Sequence, residues 1–308
     1  MKKITIAVCS YNRAERLPKL IRALRNQQCS LPFEILIVEN NCTDNSHAVL
    51  LELQQEPGAP LNLINEPKQG ISHARNRAVE ECLACDYMLF MDDDELPSTN
   101  LVQSAIDTFD TTDAYCVGGK VEVDFSALAR PDWLEDNLLG FLAQVDHGTD
   151  LFKISSISTP VWTANIAYDM RIFRDNPDLR YDLRYNRAGQ GVGGGEDVLM
   201  FEELLTRKIP TYYQPKMVVL HAVDAWKLKR WYFIKLHFVS GKKYGQYEIP
   251  HLKGAFFGVP AFMLAHFIRH CALAVTMLIK QQPGRIRQTM NAAHSLGSII
   301  GKFLASQA

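Results

Sequence analysis

Acidic residues almost vanish from the end of this 308-residue chain: Ala225–Ala308 holds twelve Lys and Arg against the single Glu248, a formal +11. Met1–Asp224 carries −12, so the net charge of −1 hides an acidic body and a basic tail, which implies two parts with different partners. No stretch of the tail reaches the ~20 apolar residues of a simple membrane span. Within the apolar region Gly254–Ile279 the longest run free of Lys, Arg, Asp and Glu is Gly254–Ile268, 15 residues. No leader pattern stands at the start, because Ile4–Cys9 is too short for a signal-peptide core and runs into a polar loop. Cysteine is sparse and odd in number, seven in all, so reduced thiols in a cytosolic chain are expected. Cys82-x-x-Cys85 lacks both a second pair for zinc and the Gly-Pro centre of a redox motif, and is expected to supply structural thiols at a helix end. Repeats and low-complexity tracts are absent. With 47% hydrophobic and 22% charged residues, the chain is neither disordered, collagen-like nor a polytopic membrane protein.

The first 125 residues alternate strand and helix patterns. Ile4–Cys9, Glu34–Glu39, Leu61–Ile64 and Tyr87–Met91 are short, apolar runs that predict buried strands. Leu17, Leu20, Ile21 and Leu24 form a helical stripe, and Ser46–Gln54 predicts a second helix. Ser72 is expected to cap a third, and Ser98 or Thr99 a fourth. Such alternation implies a mostly parallel sheet, with ligands beyond the carboxyl ends of its strands. The middle, Ala127–Asp224, is less regular, with a Gly-rich loop at Gly189–Gly195, a helix pattern over Glu196–Arg207 and a strand pattern over Met217–Leu220.

Chemistry is therefore sought in the loops after Cys9, Glu39 and Met91. Ser10-Tyr11-Asn12-Arg13 contains no glycine, which excludes a dinucleotide fingerprint or Walker loop. Its Tyr could stack on a nucleobase, and its Ser or Asn could equally cap the next helix. Glu39 ends the second strand and leads into an Asn- and Asp-rich turn, where an acid can accept from a base or ribose. Asp92-Asp93-Asp94-Glu95 is the strongest signal: four consecutive acids after a buried strand repel one another, which a divalent cation such as Mg²⁺ or Mn²⁺ would offset; a solvated acidic loop leading into a helix N-terminus is the other reading. Glu196-Asp197 follows the flexible glycine loop at a helix start, where a carboxylate can act as general base. His221 ends an apolar run, and Trp162 and Asn165 sit in the uncharged stretch Ser155–Ala167, as pocket lining or as core.

In this order the elements resemble the family two glycosyltransferases, over about Met1–His221. The resemblance implies a GT-A fold: α/β, a mostly parallel mixed sheet flanked by helices, here over 1–224, followed by a helical basic and apolar extension over 225–308. Val8–Arg13 looks like the family's opening strand and loop, placing Ser10, Tyr11 and Arg13 on the nucleotide. Ile37–Asp44 looks like its second motif, making Glu39 the acid that binds uracil; Glu stands where Asp is commoner, and Cys42 replaces the usual Ser. Gly70–Asn76 is similar to the family's glycine-to-Arg-Asn segment and places Arg75 near the nucleotide. Asp92, Asp93 and Asp94 match the ribose- and metal-binding aspartates. Trp162–Asn165 resembles the acceptor-side segment, with Trp162, Asn165 and Glu196 facing the acceptor. Asp197 matches the catalytic base, and His221 resembles a histidine that joins Asp92 and Asp94 on the metal in some members.

The function this implies is inverting, metal-dependent transfer of a sugar from a nucleoside diphosphate donor, UDP-linked, to a hydroxyl of a glycan or lipid-linked acceptor in cell-surface polysaccharide or glycolipid synthesis. Two alternatives stay open. A nucleotidyltransferase would want a Gly-rich basic loop after the first strand, which Ser10–Arg16 is not. A non-catalytic sugar-nucleotide binder would keep Asp92–Asp94 and have no need of Asp197. The tail interleaves Trp226, Trp231, Tyr232, Phe233 and Phe238 with Lys227, Lys229, Arg230, Lys235, Lys242 and Lys243, as suits a headgroup interface. A peripheral or monotopic position on the inner face of the cell membrane is expected, since Arg269 and His270 disfavour a true crossing. A nucleic-acid partner is not expected, because the apolar run has no role there; an ordinary helical subdomain is the other reading of the tail.

Overall fold

A computed structural model describes residues 2–188, 191–250, 255 and 257–307. These fall into two compact units. The first comprises the described residues of 1–127, 142–189 and 196–223, and the second those of 128–141, 190–195 and 224–308. The compositional change at Ala225 lies beside the 223/224 division. It gives no sign that 128–141 and 190–195 cluster with the tail.

The first unit is built on a nine-stranded sheet. In chain order its strands are β1 (Ile4–Ser10), β2 (Phe33–Glu39), β3 (Leu61–Asn65), β4 (Tyr87–Asp92), β5 (Glu95–Pro97), β6 (Cys116–Asp124), β7 (Phe152–Lys153), β8 (Asn165–Asp169) and β9 (Thr211–Ala222). They lie in the order β3-β2-β1-β4-β8-β6-β9-β5, with β7 also on β9. The helices are α1 (Leu17–Arg25), α2 (Ser46–Gln54), α3 (Ile71–Glu81), α4 (Leu101–Thr111), α5 (Arg171–Asp175) and α6 (Glu196–Thr206).

The half from β3 to β4 is parallel. Every residue of β1 is buried, as a run without polar alternation requires of a strand enclosed on both faces. α1 turns Leu17, Leu20, Ile21 and Leu24 inward, the predicted stripe. β8 is antiparallel to both β4 and β6, whereas β6 and β9 run parallel. The carboxyl ends of β1, β2 and β4 thus lie side by side, with Ser10 in register with Glu39 and Cys9 with Asp92.

Two expected caps are not formed. α3 begins at Gly70, whose φ of 134° suits glycine, and a Cβ there would collide with the Asn186 amide. Ser72 instead donates its hydroxyl to the Asp182 carbonyl. α4 begins after Asn100, because Ser98 still donates its N–H to Val218 O as a sheet neighbour. Cys82 does end α3 and is buried, and all seven thiols are free.

In the second unit, α7 (Arg230–Tyr247), α8 (Ala261–Ile279) and α9 (Arg285–Ala305) follow one another. α7 and α9 meet backbone to backbone. A Cβ on Gly241 or Gly245 would strike the carbonyls of His294 or Ser298, and one on Gly297 or Gly301 those of Phe238 or Lys242. These paired Gly-x-x-x-Gly steps allow an approach that larger side chains forbid. α8 joins α9 through polar links: Ser295 Oγ with His270 Nδ1 at 2.8 Å, and Gln288 Nε2 donating to His270 O. α8 also buries Met263 and Ala274, but one flank of it is bare. Phe262, Leu264, Ile268, Leu273, Val275, Leu278 and Ile279 are all exposed, and only 11% of its most apolar window is buried. Of the apolar run anticipated over Gly254–Ile268, Gly254 and Phe256 lie outside the described residues.

Candidate active site

The site gathers at the strand ends of the first unit. Asn12, at a positive φ of 54°, closes the loop after β1 onto the loop after β2. Its Oδ1 accepts from Thr43 N at 2.7 Å and from Asp44 N at 3.3 Å. The Tyr11 N–H donates to Asp93 Oδ2, and Arg13 Nε donates to Asp93 Oδ1 at 3.3 Å. Arg13 also lies 3.7 Å from Asp94. Arg13, expected on the nucleotide, is thus turned onto the acids, where it offsets part of their mutual repulsion.

The four acids diverge. Asp92 is half-buried and faces Arg75, with Oδ1 3.2 Å from the guanidinium. Burial, reinforced by the charge of Asp94, pushes the Asp93 carboxyl up to about 6. Asp94 is buried with Oδ1 3.3 Å from His221 Nδ1. Glu95 sits opposite His221 on β9, and its Oε2 accepts from Asp92 N. Burial, then the charges of Asp92 and Asp94, raise Glu95 well above the ordinary carboxylate range. Four consecutive acids are therefore not one cluster. β5 turns the chain so that Asp94 and Glu95 face β9 while Asp92 remains at the end of β4.

Arg75 is the hub. It is almost wholly buried, donates to Glu196 Oε1 at 2.7 Å and to Asp92 Oδ1, and lies over the Tyr181 ring. Burial opposes its charge, but Asp92 and Glu196 more than offset this and raise its pKa. Arg75, expected near the nucleotide, ties the acids after β4 to the start of α6 through these bonds. Glu196, expected on the acceptor side, is the inward partner of Arg75 and is buried. Asp197, one residue on, is half-buried and has no ion pair among the described residues. It accepts only the N–H of the next residue, Val198. Of the Glu-Asp pair, one acid anchors the helix and the other stays available to a proton donor. Gly193, Gly194 and Gly195 precede them, all at positive φ, while Gly189 and Gln190 lie outside the described residues.

Asn165, expected on the acceptor side, sits in the sheet. It is completely buried in β8, and its Nδ2 donates to Lys120 O and Met217 O, stitching the β6–β9 register shift beside Gly119. The carbonyls left unpaired at that bulge account for an amide here. Trp162 is half-buried, edge-on to Phe201.

Two residues of the site had not been singled out. Asn40 pins the loop before α3: its Oδ1 accepts from Gly70 N at 2.7 Å and its Nδ2 donates to the carbonyls of Glu66 and Lys68. His47, in the first turn of α2, holds Glu39, with Nδ1 2.9 Å from Oε2. A histidine eight residues after a strand-end acid is the signal that would have found it.

A family model described as Glycosyl transferase family 2 matches residues 5–177, more than half of the chain. The chain belongs to glycosyl transferase family 2. This glycosyltransferase is 24% identical over 306 residues to the succinoglycan biosynthesis protein ExoM of Rhizobium meliloti, covering 97% of this chain and 92% of that one. Among solved structures it resembles S. aureus TarS in complex with UDP-GlcNAc, with a TM-score of 0.57 at 13% identity over 97% of this chain and 90% of TarS. It also resembles the mannosyltransferase PcManGT of Pyrobaculum calidifontis in complex with GDP-Man and Mn²⁺, with a TM-score of 0.61 at 15% identity over 97% and 86%. At these identities the likeness shows the shared GT-A fold.

Proposed function

We propose that this glycosyltransferase moves a sugar from a UDP-sugar to a hydroxyl of a glycan or lipid-linked acceptor, with inversion at the anomeric carbon, in the synthesis of a cell-surface polysaccharide or glycolipid. The observation that carries this is the ion-pair chain Asp92–Arg75–Glu196, which fixes the acids at a sheet end to a helix whose next residue, Asp197, is a carboxylate with no ion pair among the described residues. A donor site alone has no use for that second carboxylate. Ser10, Tyr11 and Glu39 take the base, and Asp92 and Asp93 the ribose and diphosphate side. Trp162 borders the acceptor. Asp197 removes the acceptor's proton as its oxygen attacks the face opposite the leaving diphosphate, so one displacement inverts the centre.

The donors fit a divalent cation. His221 Nδ1 is buried, has no hydrogen-bond partner among the described residues, and lies 3.3 Å from Asp94 Oδ1. Cis ligands at about 2.1 Å from one Mg²⁺ stand roughly 3 Å apart. Among the described residues no group of three or more His, Cys, Asp and Glu could hold a metal. Asp94 and His221 would be the protein's ligands, with Asp92 at the margin because Arg75 holds one of its oxygens. When bound, Mn²⁺ or Mg²⁺ would neutralise charge on the departing diphosphate. Asp94→Asn is expected to weaken UDP binding at least about tenfold in Mn²⁺ and little in EDTA, read by calorimetry. Equal losses in both would make these acids structural.

The bare flank of α8 supports a position at the headgroup level of the inner membrane face, as does the exposed Trp231 of α7 with Lys235 Nζ 5.4 Å over its ring. The full chain is expected to cosediment with anionic vesicles, and Leu264→Asp with Ile268→Asp to lose that binding about tenfold or more. Undiminished sedimentation of the double variant would remove α8 from the contact.

A further inference from the structure

We infer that His47 sets the base preference of the donor site by occupying one of the two oxygens of Glu39. This rests on the proposed nucleotide-sugar reading and names which nucleotide that site admits.

Glu39 ends β2 with its side chain nearly buried, so its carboxylate has few orientations open to it. An ionised carboxylate only accepts, so the 2.9 Å contact requires the hydrogen on His47 Nδ1, donated to Oε2. Oε1 accepts from no described residue. The histidine ring itself is mostly exposed, with 65% of its side chain open, so it contributes little to the core and its position is explained by this one bond. The clamp has two effects: it fixes a side chain with one more rotatable bond than Asp, and it leaves Oε1 as the one oxygen without a described partner.

A single acceptor suits a base that offers one ring N–H. Uracil presents N3–H between two carbonyls. Guanine presents N1–H and an amino group side by side, a pair that matches both oxygens of one carboxylate. Cytosine has no hydrogen on N3. With Oε2 engaged by His47, one of guanine's paired donors must share an oxygen that already accepts a charge-assisted hydrogen bond, so the site selects against guanine and for uracil. Without the histidine, both oxygens are free to meet the paired donors of guanine, and that discrimination disappears.

The test measures binding of UDP, CDP and GDP in Mn²⁺ by calorimetry to the full chain and to His47→Ala and His47→Asn. Asn carries an amide nitrogen the same number of bonds from Cα as Nδ1. The wild type is expected to bind UDP at least about tenfold tighter than GDP. His47→Ala should bring the two within about threefold, by weakening UDP and strengthening GDP, and His47→Asn should restore most of the preference. A residue that merely supports α2 would weaken all three nucleotides together. An unchanged UDP:GDP ratio in His47→Ala, a wild-type preference for GDP, or an Asn variant that behaves as the Ala variant overturns the inference while leaving the nucleotide site standing. A wild type that binds none of the three overturns the functional reading itself, and this inference with it.

Discussion

Asp197→Asn is expected to lower sugar transfer by about 10²–10⁴-fold, the range associated with a positioned general base. It is expected to leave UDP affinity within about twofold. The two effects separate because Asp197 has no role in the ion-pair chain: Glu196, not Asp197, meets Arg75. The substitution is nearly isosteric, and its only described hydrogen bond is accepted from the adjacent Val198 N–H, which the amide oxygen can also accept. α6 and its buried face of Met200, Phe201 and Leu204 therefore persist. Loss of UDP binding in parallel with turnover would place Asp197 on the donor instead. Transfer at the wild-type rate would remove it from the chemistry.

Arg75→Met should damage stability and turnover together. Arg75 and Glu196 are each about 95% buried, so deleting the cation leaves a carboxylate in the interior with no counter-charge. Breaking such a pair from one side costs about 3–5 kcal/mol. Glu196 is already raised by its burial and held down chiefly by Arg75, so in the variant it would take up a proton to fold. The expected result is a lower denaturation midpoint with an unchanged slope. Arg75→Lys should recover part of the stability, since it restores the charge. It should not recover turnover, because one ammonium cannot hold Glu196 and Asp92 in the fork a guanidinium provides. A denaturation midpoint for Arg75→Met equal to that of the wild type would show that the pair does not hold the first unit together.

The parallel half of the sheet was legible because its strands are continuous apolar runs and its helices carry clean stripes, as in Ile4–Ser10 and Leu17–Leu24. The later strands were not. β6 carries Gly118 and Gly119, which break its apolar start and leave only the short alternation Lys120–Asp124 to mark it; its glycines are there because Val161, Asn165 and Met217 press against them. β8 is a strand only by virtue of its neighbours β4 and β6, and its Asn165 resembles pocket lining until its hydrogen bonds to the bulge are seen. The same limit applies to the site. Residue types and order located Asp92, Asp93, Asp94 and Glu196-Asp197, since each follows a recognisable element. They could not show that Arg75 joins two of those motifs across more than a hundred residues, or that Arg13 faces the acids. Pairings of that kind are set by tertiary geometry, and spacing in sequence carries no trace of them.

The central claim is a single displacement by an acceptor oxygen that Asp197 deprotonates. It is tested most directly by NMR of the product that wild type and Asp197→Asn each form from α-linked UDP-sugars with Mn²⁺ and a panel of glycan and lipid-linked acceptors. The account predicts a β-linked product from the wild type, released with equimolar UDP, and almost none from the variant at equal UDP occupancy. An α-linked product, or equal yields from the two proteins, would contradict it.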